Sequence, residues 1–497
     1  MHKTFDVSRL VIAALTAMTV VGIGTNGASP VLANTTSVNE ALAQRTVHNT
    51  SATLAGAQAG NGQVVASVDV TRSLYIPALF RTWPIENIFG IETSNLSASA
   101  GGILSAGPTW VRRNALLWKD IETSQNTRNW SAAKGLEDDM IVAAKNNVRT
   151  ILIIWGTPDW AQQIAGKPCG PMRSDKIGAF AAFMKDVVAR YSQPPYSVKY
   201  FEIWNEPDFP SAGTPGANYG CWGNEADPYN GGGYYGTMLQ QVAPQMRAAN
   251  PSVKILLGGL LLACTPAQAG GCPASKFLEG ILRAGGGSNF DGVSFHAYDA
   301  FDAATNQVGK YSWPSWNTSN ANGPSLIVKT QFVKSVLSQF GVSGKFLINT
   351  EVGLLCWDCV AAPSNFEATK AYYLATAYSA AIAEGLVGNV WFTWEGWNLT
   401  GLAGPSLNAY NTARAELSDA TYNGAVAAGD VGGVSGVKGY KYTHNGKGLW
   451  LVWSLDGSTK NITLPGTPAK VIDAVGATQS PAATLALSAK PLYIEFP

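Results

Sequence analysis

The feature that most constrains this 497-residue chain is a repeated alternation between short apolar runs and helix-compatible segments. The runs are rich in β-branched and aromatic residues, and segments such as residues 176–191 and 366–386 between them have helical patterns. Strands alternating with helices indicate a parallel sheet, and eight strands close a (β/α)8 barrel. The eight predicted strands span residues 88–93, 109–114, 150–155, 199–204, 254–259, 291–298, 345–350 and 389–394.

An open, doubly wound sheet is the alternative to the barrel. Such a sheet usually carries a glycine-rich phosphate-binding turn after its first strand, and Ile91-Glu92-Thr93-Ser94 is not one. We therefore predict an α/β fold, a (β/α)8 TIM barrel, in residues 85–430. After it, short alternating strands with Asn-Gly and Asp-Gly turns predict a small C-terminal β-sandwich in residues 431–497.

The N-terminus has the three parts of a secretory signal peptide. Lys3 and Arg9 precede an apolar run, and small residues follow up to Ala33. We predict a signal peptide over residues 1–33. An uncleaved membrane anchor is the alternative, but the run is shorter than the ~20 apolar residues that a span requires. Residues 34–84 read as a low-complexity linker, since their first forty residues hold no aromatic side chain.

Composition narrows the class of ligand. Only 13% of residues are charged and the formal net charge is +1, against a typical charged fraction of ~25%. No run of Lys or Arg forms the basic patch that nucleic-acid binding needs. The chain also holds 16 tryptophans. A surface poor in charge and rich in indole suits a neutral polar ligand better than a charged one. We expect a secreted monomer with no nucleic-acid partner and no membrane span after signal cleavage.

Six cysteines in an exported chain predict disulfides. Spacing pairs Cys264 with Cys272 and Cys356 with Cys359, which leaves Cys169 for Cys221. A zinc site at Cys356-Trp357-Asp358-Cys359 is the alternative, but it lacks a second close ligand pair. All six follow predicted strands, and the loops after barrel strands carry the functional face. We therefore expect the disulfides to fasten loops around a site.

Two glutamates end strands on opposite sides of the predicted barrel. Glu206 closes the fourth strand in Trp204-Asn205-Glu206-Pro207, and Glu351 closes the seventh. Side chains three strands apart in an eight-strand ring can face each other across its mouth. Two facing carboxyl groups in an aromatic cleft meet the needs of glycosidic bond cleavage, in which one protonates the leaving oxygen and the other stabilises or attacks the anomeric carbon.

These two motifs resemble clan A of the retaining glycoside hydrolases, most closely family 39 and its relatives, with families 5 and 30 further off. The resemblance covers residues 85–497. It implies that Glu206 is the acid/base, Glu351 the nucleophile and Asn205 a donor to the sugar 2-hydroxyl. It implies neither metal nor organic cofactor. Further residues implied in sugar binding or in support of the nucleophile are Arg112, His296, Tyr298 and Trp394, and we add Trp155 as a candidate sugar contact.

Several of these assignments have alternatives in the sequence. Glu202 lies four residues before Glu206 and could be the carboxyl that matters, although pairing with Arg112 one layer lower is expected. Arg113 competes with Arg112 for the role beside the nucleophile. Trp204 and Trp397 are interpreted as packing under the loops. The remaining carboxylates near strand ends are interpreted as loop or capping residues: Glu92, Asp208, Asp299 and Glu395. Trp222 and Trp357 are candidate sugar platforms.

The expected function is therefore a secreted retaining β-glycosidase. A non-catalytic carbohydrate-binding or adhesion protein on the same barrel is the alternative from another class. A transglycosylase would use the same residues and differ only in the acceptor.

Overall fold

A computed structural model describes residues 87–209, 222–268, 271–316, 318–319, 323–357, 359 and 361–497. These residues belong to one compact unit. The predicted signal peptide (1–33) and linker (34–84) lie outside the described residues, as does Cys221.

Eight parallel strands form a closed barrel, which confirms the predicted (β/α)8 class. Their order around the barrel is β1-β2-β3-β4-β5-β6-β9-β10, closed by the pairing of β10 with β1. The short strands β7 (Tyr311–Trp313) and β8 (Thr318–Ser319) extend the sheet antiparallel from β6. The barrel strands are β1 (Phe89–Thr93), β2 (Trp110–Leu117), β3 (Arg149–Trp155), β4 (Tyr200–Asn205), β5 (Lys254–Leu260), β6 (Gly292–Phe301), β9 (Phe346–Leu355) and β10 (Asn389–Trp391).

Helices surround the barrel because each carries an apolar face that must be buried. In α4 the buried residues Phe180, Met184 and Val188 recur every four positions along one face. The helices are α1 (Leu96–Ala106), α2 (Trp118–Ile121), α3 (Lys134–Lys145), α4 (Ile177–Tyr191), α5 (Gly232–Ala249), α6 (Phe277–Arg283), α7 (Leu326–Gln339), α8 (Phe366–Ala383) and α9 (Gly404–Leu417). Among the described residues, no helix is both long enough and apolar enough to cross a bilayer.

The barrel interior has two layers of different chemistry. Its lower layer is an apolar cluster separate from the core beneath the helices, and its members are Trp110, Ile151, Leu256, Phe346, Ile348 and Val390. Above it, towards the carboxyl ends of the strands, the inward side chains become polar. Glu92 lies opposite Arg112 in the pairing of β1 with β2, and His296 lies opposite Glu351 in the pairing of β6 with β9. The polar layer is where barrel enzymes hold their chemistry.

The C-terminal region is a two-sheet sandwich, as predicted. A six-stranded sheet has the order β11-β12-β13-β18-β15-β16 and a two-stranded sheet pairs β14 with β17. An apolar cluster that includes Trp450, Ile462 and Leu487 lies between them. The strands are β11 (Thr421–Ala425), β12 (Val437–His444), β13 (Lys447–Ser454), β14 (Lys460–Thr463), β15 (Lys470–Asp473), β16 (Thr478–Gln479), β17 (Thr484–Leu487) and β18 (Leu492–Glu495).

The sheet begins earlier in the chain than the predicted boundary at residue 431. β11 pairs with β12, although its Tyr-Asn-Gly-Ala sequence has weak strand character. Pairing rather than local propensity therefore places this segment in the sheet.

Two of the three predicted disulfides are present. Cys264 is bonded to Cys272 and Cys356 to Cys359. The former follows β5 and the latter follows β9, so both fasten loops at the carboxyl ends of barrel strands. The pairing of Cys169 with Cys221 stays a prediction.

Candidate active site

The chain turns in an unusual way at the end of β4. Trp204 and Glu206 both have positive φ, 78° and 46°, which bulky L-residues rarely adopt. Alternate side chains of a regular strand point to opposite faces. The two left-handed residues break that alternation, so Asn205 and Glu206 both point into the barrel mouth. The Glu206 amide donates to the carbonyl of Gly259 at 2.9 Å, which fixes the turn against β5.

Arg112 is the centre of the polar layer, and every one of its five N–H donors has a partner. Nε and Nη2 bond the carboxylate of Glu202 at 2.9 and 3.4 Å. Nη2 also bonds Oδ1 of Asn205 at 2.6 Å. Nη1 bonds Glu92 at 2.7 Å and, in addition, Oε1 of Glu351. The sequence left Arg112 and Arg113 as alternatives. Arg113 bonds Asp139 of α3 instead, so Arg112 is the arginine of the barrel mouth.

Glu202 is a buried partner of Arg112 and not a second carboxyl of the cleft. Its Oε1 also accepts bonds from the Gly259 amide at 2.6 Å and from the Ser294 hydroxyl at 3.0 Å. A carboxylate with this many donors is held in place. The interpretation that Glu202 lies one layer below Glu206 and pairs with Arg112 agrees with these contacts.

Glu351 is held from two sides. Arg112 bonds its Oε1, and the Tyr298 hydroxyl donates to its Oε2. Tyr298 and His296 come from β6, where a register shift between Phe295 and His296 brings His296 opposite Glu351. His296 Nδ1 lies 2.8 Å from Glu206 Oε1 and 3.4 Å from Glu351 Oε2. The imidazole therefore bridges the two glutamates.

Burial and neighbouring charges shift the pKa values of Glu206, Glu351 and His296 to different extents. The pKa of Glu206 lies well above its usual range because burial and the nearby Glu351 disfavour its charge. Burial also raises the pKa of Glu351, but Arg112 and the Tyr298 bond act against that rise. The pKa of His296 lies well below its usual value because burial and the Arg112 charge disfavour the imidazolium. Glu206 is thus the better proton donor and Glu351 the better anion.

The buried side chain of Lys329 lies behind the part of the site that holds Glu206 and His296, and the sequence analysis did not identify it. Lys329 of α7 donates to the carbonyls of Leu261 and His296, each at 2.8 Å. Burial lowers its pKa to about 8. Its charge lies near Asp208 and Asp299, the first of which accepts from two backbone amides. Helix periodicity alone gave no signal for a lysine that reaches the barrel, because Lys329 looks like an ordinary helix surface residue.

The tryptophans divide into packing and cleft positions. Trp204 and Trp222 are buried against each other, so Trp222 is not an open sugar platform. Trp155 ends β3 and Trp394 lies three residues beyond the end of β10, and both are partly exposed. The Trp394 amide donates to the carbonyl of Glu92 at 2.9 Å, and its ring covers Gly102 of α1.

Two further aromatic rings link a disulfide loop to the site. Trp357 lies between Cys356 and Cys359 and makes an edge contact with Trp397, with ring centres 5.7 Å apart. Trp397 in turn contacts Tyr298 at 6.4 Å. The loop after β9 is therefore connected to the group that bonds Glu351.

Glu92 was interpreted as a loop or capping residue, and the structure places it elsewhere. It is buried in the mouth of the barrel on Arg112. The alternation of side chains along β1 could have indicated this position. Phe89 points outward and stacks on Tyr378 of α8, so Glu92, three residues later, lies on the opposite, inward face of the strand. Glu395, by contrast, does bond the loop after β1, through Thr93 and the Ser94 amide. Asp208 likewise bonds loop amides.

One group of the described residues could hold a metal ion. Glu206, His296 and Glu351 offer ligand atoms that all lie within 4.8 Å of one another. The same three atoms are close enough to act together on one bond of a substrate.

Comparison with known proteins gives matches at the level of structure. No family model and no curated protein matches the chain. A family 39 glycoside hydrolase from Bacteroides cellulosilyticus WH2 superposes with a TM-score of 0.61 at 18% identity, covering 82% of this chain and 80% of that one.

Two further solved structures match over 83% of this chain. A family 30 endoxylanase from Clostridium papyrosolvens C71 gives a TM-score of 0.52 at 14% identity, with 97% of its own chain covered. A monomeric β-xylosidase from Caulobacter crescentus CB15 gives 0.50 at 12% identity, with 96% covered. The chain therefore shares the (β/α)8-barrel fold of these glycoside hydrolases. The resemblance drawn from the sequence is confirmed at that level.

Proposed function

We propose that this protein is a secreted retaining β-glycosidase that hydrolyses O-glycosidic bonds of an oligosaccharide or polysaccharide by double displacement. The observation that carries the proposal is the pair of buried carboxyl groups of Glu206 and Glu351, which bring one oxygen each to within 4.8 Å of the other and are bridged by His296. Retaining enzymes hold their two carboxyl groups about 5–5.5 Å apart, whereas inverting enzymes need about 6.5–9.5 Å to admit a water molecule.

In the first step Glu206 protonates the leaving oxygen while a carboxylate oxygen of Glu351 attacks the anomeric carbon. In the second step Glu206 takes a proton from water, which attacks the same carbon and releases Glu351. The Oδ1 atom of Asn205 accepts a hydrogen bond from Arg112. The Nδ2 group of Asn205 is therefore the one that can donate to the sugar 2-hydroxyl. Trp394 and Trp155 offer flat apolar faces to the C–H faces of the sugar rings.

The steps need neither a metal nor an organic cofactor. Export follows from the N-terminal pattern and fits the two disulfides of the described residues.

The test is hydrolysis of 4-nitrophenyl β-glycosides of xylose, glucose, galactose and mannose, followed by proton NMR of the first product. We expect turnover with retained anomeric configuration, and no loss on treatment with EDTA. The matched variant is Glu351→Gly, which should abolish hydrolysis but form a glycosyl azide of inverted configuration when azide occupies the vacated space.

Two results would contradict the proposal. An inverted first product from the wild-type enzyme removes the nucleophile role from Glu351. No turnover of aryl glycosides or polysaccharides, with sugar binding retained, assigns the barrel to the non-catalytic alternative. Products longer than the substrate would instead indicate transfer to a sugar acceptor.

A further inference from the structure

The mouth of the barrel holds a third carboxyl group that the proposed reaction does not use. Glu92 is the next-to-last residue of β1, which pairs with β10. Its backbone carbonyl accepts a bond from the amide of Trp394, three residues beyond the end of β10, and its Oε2 accepts a bond from Arg112 Nη1 at 2.7 Å. Arg112 Nη1 is also the donor to the nucleophile Glu351. Nη1 of Arg112 therefore donates hydrogen bonds to both Glu92 and Glu351.

Residual exposure separates the carboxyl groups that reach the cleft from those that do not. The side chains of Arg112 and Glu202 are fully buried at 0% exposure. Glu206 and Glu351 keep 7% and 8%, as groups that face a substrate must. Glu92 keeps 3%. Its side chain is therefore not fully sealed, as those of Arg112 and Glu202 are, but it is less exposed than those of Glu206 and Glu351.

The bonding of Glu92 is also incomplete. Among the described residues, Arg112 is the one side chain that bonds its carboxyl group, and it engages Oε2 alone. Glu202, in the sealed layer, accepts bonds on both oxygens from Arg112, Ser294 and Gly259. A polar atom in a cleft with no protein partner is a site for a ligand group.

We propose that Glu92 is a sugar-contacting residue, which bonds through Oε1 a hydroxyl group of the sugar in the central subsite. This rests on the proposed function. With the anomeric carbon at Glu351 and the 2-hydroxyl at Asn205, the hydroxyl bonded by Glu92 is one at carbon 3, 4 or 6.

The protonation of Glu92 fits this role. Burial raises its pKa to about 8, against the opposing effect of Arg112. At neutral pH the carboxyl group can therefore donate a bond to the sugar while accepting one from Arg112. The charged groups around it are Arg112 on β2, Glu202 on β4, Glu351 on β9 and, at the rim, Glu395, with Tyr298 of β6 beyond.

The test is a set of 4-nitrophenyl β-glycosides that each lack one hydroxyl, at carbon 3, 4 or 6, measured with the wild type, Glu92→Gln and Glu92→Ala. One of the three deletions should lower wild-type kcat/KM by about 2- to 12-fold, since a hydrogen bond between uncharged groups is worth roughly 0.5–1.5 kcal/mol. In Glu92→Ala the same deletion should have almost no further effect. Glu92→Gln should keep part of the discrimination, because its amide nitrogen can still donate to the sugar hydroxyl.

Asp139→Asn is the matched control. Asp139 is also a buried carboxylate on an arginine, but it bonds Arg113 on the outer face of β2. It should change stability without changing discrimination among the deoxy substrates. Turnover by the wild type with unchanged discrimination in Glu92→Ala overturns the sugar contact and leaves the proposed function standing. Absence of wild-type turnover overturns both.

Discussion

At the scale of single residues, the two glutamates of the site have the same side chain but different hydrogen-bond partners. Glu206 and Glu351 are both buried glutamates, yet only Glu351 bonds Arg112 and Tyr298. Glu206 bonds an imidazole that burial keeps neutral. The same side chain is therefore favoured as an acid at one position and as an anion at the other.

This difference predicts the pH profile. The proposed mechanism requires Glu206 protonated and Glu351 ionised, so the basic limb should report the raised pKa of Glu206 and lie above the range of an ordinary carboxyl group. Glu206→Ala should remove that limb for kcat/KM of an aryl glycoside with a good leaving group. It should slow substrates with poor leaving groups by several orders of magnitude, at about 1.4 kcal/mol for each tenfold.

The measurement is kcat/KM between pH 4 and 10 on paired good and poor leaving groups. Near-normal turnover of the poor leaving group by Glu206→Ala would give the acid role to another carboxyl group. A basic limb that persists in this variant would show that it belongs to a different residue.

Sequence reasoning reached most of these residues and missed others for physical reasons. Glu206 and Asn205 stand out because polar residues are rare in a strand. Glu92 looks like an ordinary residue at a strand end, and its role depends on the register that sets it opposite Arg112. The position of Lys329 could not be predicted, because the pattern of a helix does not show that a lysine side chain extends into the barrel to bond a carbonyl group.

At the scale of elements, two glycines in β5 let neighbouring strands come close to the site. A Cβ on Gly258 would lie 2.4 Å from the carbonyl oxygen of Ile203 in β4. A Cβ on Gly259 would lie 2.1 Å from Nε2 of His296 and 2.7 Å from Glu202. The register shift of β5 against β6 occurs at this point. Glycine here is needed for close approach.

Gly259→Ala should therefore displace His296 and weaken the support of Glu206. We expect kcat to fall at least tenfold, and the free energy of unfolding to fall by about 1–3 kcal/mol, the usual cost of overpacking. Gly178→Ala is the control, because that exposed glycine of α4 has open space around its Cβ position. Kinetics and urea denaturation of the two variants give the answer; equal activity in both would show that His296 tolerates displacement.

The eight strands were all predicted in place from β-branched runs, because parallel strands buried on both faces read as continuous apolar segments. The hairpin of β7 and β8 was not predicted. Its strands are short, and they exist because β6 continues past the barrel and offers an edge for pairing.

At the scale of the whole molecule, the sandwich completes the burial of a barrel helix. The Tyr442 hydroxyl of β12 bonds both the hydroxyl and the carbonyl of Ser379 in α8, at 2.5 and 2.9 Å. α8 is apolar almost all round, with buried residues such as Tyr378 and Ile382. A helix of this kind must be covered on every side.

A chain ending at residue 420 should therefore be poorly soluble, or should unfold at a lower temperature than the full chain, with chemistry affected only as a consequence. Tyr442→Phe is the graded control, since it removes the bonds to Ser379 but keeps the ring, and it should cost about 1 kcal/mol. Thermal unfolding of the three chains tests this. A soluble truncated chain with wild-type stability would show that the barrel is independent.

The bonds of Arg112 also bear on when the enzyme becomes active during folding. They join residues 20, 90 and 239 positions apart in the chain, the last of these to Glu351. Contacts of such long range form late, because the loop between them must be closed first. A chain that has completed its first five strand–helix units already holds Glu206, Arg112 and Glu202, yet lacks β6 and β9. In the proposed mechanism such a chain has an acid without a nucleophile, so the onset of activity would report the closure of the barrel.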